Sequence, residues 1–253
     1  MTGTRSGVGY WLGGYASMLR LDAASLRLWL PLFLVVQVFV GAGTAIMYGF
    51  YFGTVPAETA LYIATGIPAL ALIPVGFVVV PNIIGEEKIS GTADFTWSLP
   101  VPRLAAVSAA FTLFTALAIP GTVLALVVTA WRYDVALDVS PLVVPAVLLT
   151  GLMAASVGSG LAYLIPNPMI TNLVTNVLLF FVLLFCPLTF PASQYPDWLV
   201  DMNRVLPFYH MGVVIRDSLS DGLVTNAAGS WAVLLAWTIA GWAATARVVG
   251  RRG

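Results

Sequence analysis

Six stretches of this chain, about 28–50, 60–84, 104–130, 141–165, 169–190 and 227–246, contain no Asp, Glu, Lys or Arg. Each is long enough to cross the ~30 Å hydrocarbon core of a bilayer as a helix, which takes ~20 residues at ~1.5 Å each. A charge at mid-bilayer costs ~2.5–3.5 kcal/mol on insertion scales, so charge-free runs of this length are what a spanning helix demands. In water these runs could not be covered. Hydrophobic residues make up 60% of the chain and charged ones 9%, against about 45–50% and about 25% in a soluble domain. The bilayer is therefore the solvent, and the expected fold is an all-α membrane protein with six transmembrane helices, a single transmembrane domain over 1–253.

An even number of spans places both termini on one side, and the excess of Lys and Arg in cytoplasmic segments chooses the side. With a cytoplasmic N-terminus, the inner segments hold Arg5, Arg20, Arg27, Lys88, Arg103, Arg247, Arg251 and Arg252, and the outer ones Arg132, Arg204 and Arg216. Eight against three makes both termini cytoplasmic, in a multi-pass protein of the cell (inner or plasma) membrane. The first 27 residues do not read as a cleavable signal, because the apolar run after them exceeds an h-region of roughly 7–15 residues. Within them Val8, Trp11, Leu12, Tyr15, Leu19, Ala23 and Leu26 recur at helical spacing, opposite Ser17, Arg20 and Arg27, with Asp22 interrupting the apolar face. That pattern predicts an N-terminal interfacial helix over 1–27. Formal net charge is zero, so no basic footprint points to nucleic acid. Cys186, the one cysteine, lies in an apolar run and reads as a packing residue.

Between the second and third spans stands "GEEKISGTADFTWSLPVPR", with Glu86, Glu87 and Lys88 in succession. Two readings compete: a catalytic carboxylate pair, or a solvated loop that another protein grips. Paired glutamates resemble those of intramembrane CAAX-type proteases, E-E-x-x-x-R, yet Gly91 stands where the arginine belongs. The one histidine, His210, falls on the opposite side of the membrane from the pair. No His, Cys, Asp and Glu cluster offers a metal site. A phosphate-gripping G-x-x-x-x-G-K-[ST] loop is also absent, so this chain does not hydrolyse nucleotide itself. The gripped-loop reading expects a short cytoplasmic helix from Glu86 to Leu99, ended by Pro100 and Pro102.

Glu87-Lys88-x-x-Gly91-Thr92-x-Asp94 followed by Pro100-Val101 resembles the E-[RK]-x-x-G-T-x-[ED]…P-[VL] loop of ABC-2 type exporter permeases, with Asp94 where the family usually has Glu. Phe190-Pro191, Pro196, Trp198, Leu206-Pro207 and Arg216 resemble the stretch before the family's last span, with Leu206 where Asn is usual. The resemblance covers the whole chain and implies a non-catalytic permease subunit of an ATP-driven exporter. It implies a coupling loop at 85–101 in which Glu86, Glu87, Lys88, Gly91, Thr92 and Asp94 dock on a separate nucleotide-binding ATPase subunit, present in two copies. No cofactor is expected on this chain, and ATP and Mg belong to that partner. A second permease copy or a sister permease completes the assembly. Segment 191–222 becomes a pair of short outer re-entrant helices, with Trp198, Pro207 and Arg216 as an outer gate.

Polar groups inside the spans are few. Gln37 in the first and Asn172, Thr175 and Asn176 in the fifth, beside Thr171, either line a substrate path or hydrogen-bond neighbouring helices. Gly41-Ala45-Gly49 and Ala154-Gly158-Ala162 are ridges that let helices approach closely, the first a candidate subunit contact. Pro68, Pro74 and Pro81 in the second span favour a helix that lines or gates something. His210 reads as a satisfied interfacial residue. With no charge in the spans, the expected cargo is hydrophobic or amphiphilic, such as a drug, an antibiotic or a lipid, with a polysaccharide or a peptide as the other open cargo. The alternatives are an integral-membrane enzyme acting on a lipid-soluble substrate, and a non-transporting anchor or sensor.

Overall fold

The computed structural model describes residues 7–27, 30–52 and 56–251, which are helical throughout apart from the connections. Residues 1–6 of the expected N-terminal helix, with Arg5, and Arg252 in the C-terminal basic group lie outside them. Six helices are long and apolar enough to cross a membrane, and they coincide with the six charge-free runs. The first combines α2 (Leu30–Val38), a π turn at Phe39–Gly43 and α3 (Thr44–Phe52). The second combines α4 (Ala57–Pro74), a π turn at Val75–Val79 and α5 (Val80–Ser90). The others are α7 (Arg103–Tyr133), α8 (Val143–Leu164), α9 (Pro168–Phe185) and α12 (Ala228–Arg251). Outside the spans the described residues add α1 (Val8–Leu26), α6 (Thr92–Ser98), α10 (Asp197–Val205), α11 (Pro207–Leu219) and a 3-10 turn at Ala192–Gln194.

The second span is the axis of the bundle. Of its most apolar stretch 94% is buried, against 17% for α9 and 28% for both the first span and α12. Helices α7, α8, α9 and α11 enclose it, α2 and the first π turn touch it, and α12 packs outside α8. Such enclosure needs backbones in near contact. A Cβ on Gly158 of α8 would fall on the Gly76 carbonyl, and one on Gly66 of α4 would fall on the Leu188 carbonyl.

Proline leaves carbonyls without their helical donors, and side chains meet them. Thr129 Oγ1 lies 3.3 Å from Ala64 O, the carbonyl that Pro68 cannot serve. At the Pro120 bend of α7, Gln37 donates to Leu117 O at 2.7 Å and accepts from Gly121 N at 2.9 Å. Those two groups are the pair an unbroken helix would join to each other. The amide of Gln37 is spliced into α7.

One end of the bundle gathers α1, α6, the start of α7 and the end of α12; the other gathers α10 and α11. At the first end Tyr10 Oη donates to Pro100 O (2.6 Å), and Tyr15 Oη to Thr112 Oγ1 (2.9 Å). Arg103 Nη1 donates to Val249 O at 2.5 Å, a cation against the last carbonyls of α12, as the helix dipole favours. Both ends of the described chain therefore lie together. The inward face of α1 carries Tyr15, Met18, Leu19 and Leu26, whereas Val8 and Leu12, expected on the same face, are exposed. At the far end the α7–α8 connection is tied to α11 by Asp138 N to Leu219 O and Ser140 N to Ser218 O.

Both small-residue ridges are filled from within the chain. Gly41 faces Ala125 and Gly49 faces the Arg132 guanidinium of α7, so that face is occupied. Gly158→Ala is expected to destabilise by ~1–3 kcal/mol, the usual effect of overpacking. Gly43→Ala, whose Cβ meets open space, is expected to change stability little. Thermal aggregation of the detergent-solubilised chain, followed by size-exclusion fluorescence, compares the two.

Candidate functional site

Gly91 breaks the charged stretch in two. The expected continuous helix from Glu86 to Leu99 is instead α5 ending at Ser90 and α6 beginning at Thr92, because Gly91 takes φ 76° and ψ 1°, the left-handed region that suits glycine. The Gly91 carbonyl then accepts from Asp94 N (3.1 Å) and Phe95 N (3.3 Å) to start α6. Ser90 Oγ and Thr92 Oγ1, 2.9 Å apart, bridge the turn.

The three successive charges go three ways. Glu86 is exposed at the rim of the bundle. Glu87 is half-buried, and its carboxyl is close enough to Asp22 of α1 to interact electrostatically with it. Lys88 turns inward and donates to Ala162 O and Ile165 O, the latter at 2.9 Å, with the Tyr163 ring centroid 5.9 Å away. It thereby caps the C-terminus of α8. Asp94 is exposed, as are Ile89 (78%) and Phe95 (61%), so α5 and α6 present acids and large apolar groups side by side.

Beneath this surface lies a cavity of about 780 Å³ between α1, α2, α5, α6, α7, α8 and α12, lined by Asp22, Glu86 and Glu87 among mostly apolar and aromatic side chains. Burial pushes the Asp22 carboxyl up to about 6. Ser159 of α8, on the wall, is 1% exposed and its hydroxyl has no hydrogen-bond partner.

At the start of α9, Asn167 caps the helix by accepting from Met169 N at 2.9 Å. Thr175 Oγ1 and Asn176 Nδ2 both donate to Asn172 O, at 3.3 and 2.7 Å, while Asn172 Oδ1 is buried without a partner. Gln37 does not join this group; its amide serves the α7 bend.

At the opposite end Arg216 is 2% exposed. Its Nη2 donates to Leu188 O (2.6 Å) and Tyr62 O (3.4 Å), its Nε to Thr65 Oγ1 (3.2 Å), and its guanidinium lies 3.4 Å from the Tyr62 ring centroid. Among the described residues it makes no ion pair; carbonyls and a π face hold it instead. The chain after α9 is irregular and buried through Cys186–Thr189, a conformation that survives without water only where protein groups satisfy it. Pro207 opens α11 at its first position. Trp198 is 66% exposed and Val205 68%, while Leu199 and Asn203 face inward to the protein. Asn203 Nδ2 donates to Phe185 O at 3.0 Å, which joins α10 to α9.

His210 is engaged at both nitrogens, Nε2 to Arg204 O and Nδ1 to Ser230 Oγ, each at 2.8 Å. Burial holds its pKa below the ordinary range, opposed by the bond to the Arg204 carbonyl. His210 and the Glu86–Glu87 pair stand at opposite ends of the bundle, so no shared water or metal joins them. Asp22 was visible in the sequence as the flaw in an apolar face; Tyr62, Thr65, Leu188 and Ser159 carried no such signal.

A family model described as ABC-2 family transporter protein matches residues 52–247, from the end of α3 to near the end of α12. No curated protein matches the chain.

Arg216→Met leaves the Leu188 carbonyl unserved, at ~1–3 kcal/mol for a buried orphan. Arg216→Lys is expected to recover only part of that, because one ammonium cannot reproduce the planar fork over the Tyr62 ring. Melting temperatures of the two purified variants, in the order wild type, Lys, Met, check the cage.

Proposed function

The chain belongs to the ABC-2 family of transporter proteins, and from that membership we propose that it is the permease subunit of an ATP-driven exporter of a hydrophobic or amphiphilic molecule. Two copies, or one copy with a sister permease, pair with two ATPase subunits that bind ATP and Mg. The excess of basic residues at the α1 end orients that end to the cytoplasm. The observation that carries the reading is the surface of α5, Gly91 and α6. Exposed Ile89 and Phe95 beside exposed Glu86 and Asp94 are poorly served by water or lipid alone and suit a cleft on a soluble partner.

Coupling then follows from rigidity. Helix α5 continues through the π turn into the buried axial span, so a push on α6 is delivered to the helix that every enclosing span touches. Within the coupling set, Glu86 and Asp94 with the Gly91–Thr92 turn present the docking face, while Lys88 fastens that face to α8 and Glu87 looks toward the cavity. Helix α1, packed along α7, lies at the inner interface as a second contact. Helices α10 and α11, held by Arg216 and Asn203, cap the outer end, and Asn172, Thr175 and Asn176 contribute polar groups to the path. The uncovered apolar faces of α9 and the first span are left for lipid and for the second permease.

Co-expression of the tagged full chain with the P-loop ATPase expected as its partner, followed by pull-down, tests the docking face. Phe95→Asp and Gly91→Pro, the latter incompatible with φ 76°, are expected to reduce recovered ATPase about tenfold or more with membrane insertion unchanged. Undiminished recovery with both variants overturns the docking assignment. Ser90→Cys is expected to resist an impermeant maleimide added to intact cells and to react after permeabilisation; labelling from outside overturns the orientation.

A further inference from the structure

We propose that the cavity at the α1 end binds a lipophilic cation, its apolar body against the walls and its positive charge against Asp22 and Glu87. At about 780 Å³ the space falls within the ~300–1,000 Å³ of pockets that hold a drug-sized molecule. Its walls are mostly apolar and aromatic, with Phe33, Phe114, Trp97 and Tyr163 among them. Among the described residues the lining holds three carboxyl groups, Asp22, Glu86 and Glu87, and no lysine, arginine or histidine. Lys88, which could have balanced them, is committed to the end of α8 and does not line the space.

Two carboxyls near each other at a partly desolvated site repel, and a cation relieves that repulsion. The rings supply faces that attract the same cation. Ser159 makes the independent point. Its hydroxyl is buried on the wall, lacks a partner, and is open to a hydrogen-bonding group that enters the space. The large majority of buried side-chain polar atoms in folded proteins have a partner, and of the unpartnered ones among the described residues Ser159 is the one that borders this space. An anion or a neutral sterol would leave the carboxylates uncompensated. As a binding site this stands on the cavity; as the class of exported substrate it rests on the exporter reading.

The test uses the purified full chain in lipid nanodiscs, without any ATPase, and labelled tetraphenylphosphonium, with tetraphenylborate as the probe of the same shape and opposite charge. Empty nanodiscs correct for partition into lipid. Saturable binding of the cation, preferred over the borate by about tenfold or more, is expected. Asp22→Asn with Glu87→Gln should remove most of that preference, since both replacements keep shape and lose charge. Ser159→Ala should weaken a hydroxyl-bearing lipophilic amine, labelled propranolol, about two- to tenfold and leave tetraphenylphosphonium, which has no hydrogen-bonding group, unchanged. Equal binding of the two ions, binding that never saturates above empty discs, or a neutralised double variant that binds the cation as before each overturns the site. Binding by a chain that recovers no ATPase would leave the site standing and remove the exporter; ATPase recovery without cation binding would do the reverse.

Discussion

Enclosing a proline-broken helix where no water can reach it is the constraint from which the rest of this bundle follows. Pro68, Pro74 and Pro81 each strip a donor from the axial span, and in hydrocarbon an unserved carbonyl costs several kcal/mol. Burial in protein is therefore the tolerable place for that span, and there it sits. Backbones must then approach closely, so Gly66, Gly76 and Gly158 stand at the contacts. The hydroxyl of Thr129 on α7 is turned to Ala64 O, the carbonyl that Pro68 frees. The π turn at Val75–Val79 lets the helix run on through the disturbance.

The second principle of the molecule is that charge is handled at the ends. Lys88 and Arg103 are laid on the C-terminal carbonyls of α8 and α12, where a cation is favoured and helix ends would otherwise be unsatisfied. Arg216 is taken inside and surrounded by carbonyls and an aromatic face, which lets an irregular buried segment keep its shape. The carboxylates at the α1 end receive no such treatment. Asp22 and Glu87 border a cavity, and Glu86 and Asp94 are exposed. These four acids are thus left available for something outside the chain, which fits both a docking partner and a cationic guest.

Much of the architecture was legible in one dimension because membrane insertion acts on local stretches. Length and freedom from charge identify each span separately, and all six reappear as helices. The break at Gly91 was less legible. The apolar spacing from Ile89 to Trp97 suits one helix, yet the left-handed glycine divides it, since a glycine mid-helix offers little to hold the helix together. On α10, Leu199 and Asn203 turn to the protein while Trp198 and Val205 stay exposed. Periodicity names faces, but near a membrane both lipid and protein accept an apolar side chain.

What the sequence determined alone was the number of crossings, the placing of polar segments between them and the family, all properties of short stretches. What only tertiary structure decided was the partner of each polar group. Gln37 meets Gly121, Lys88 meets Ala162, and Arg216 meets Leu188 and Thr65. The cavity is of the same kind, a volume bounded by seven helices. Hydrogen bonds and voids arise from which helices become neighbours, and a hydropathy pattern, being indifferent to neighbours, cannot carry that information.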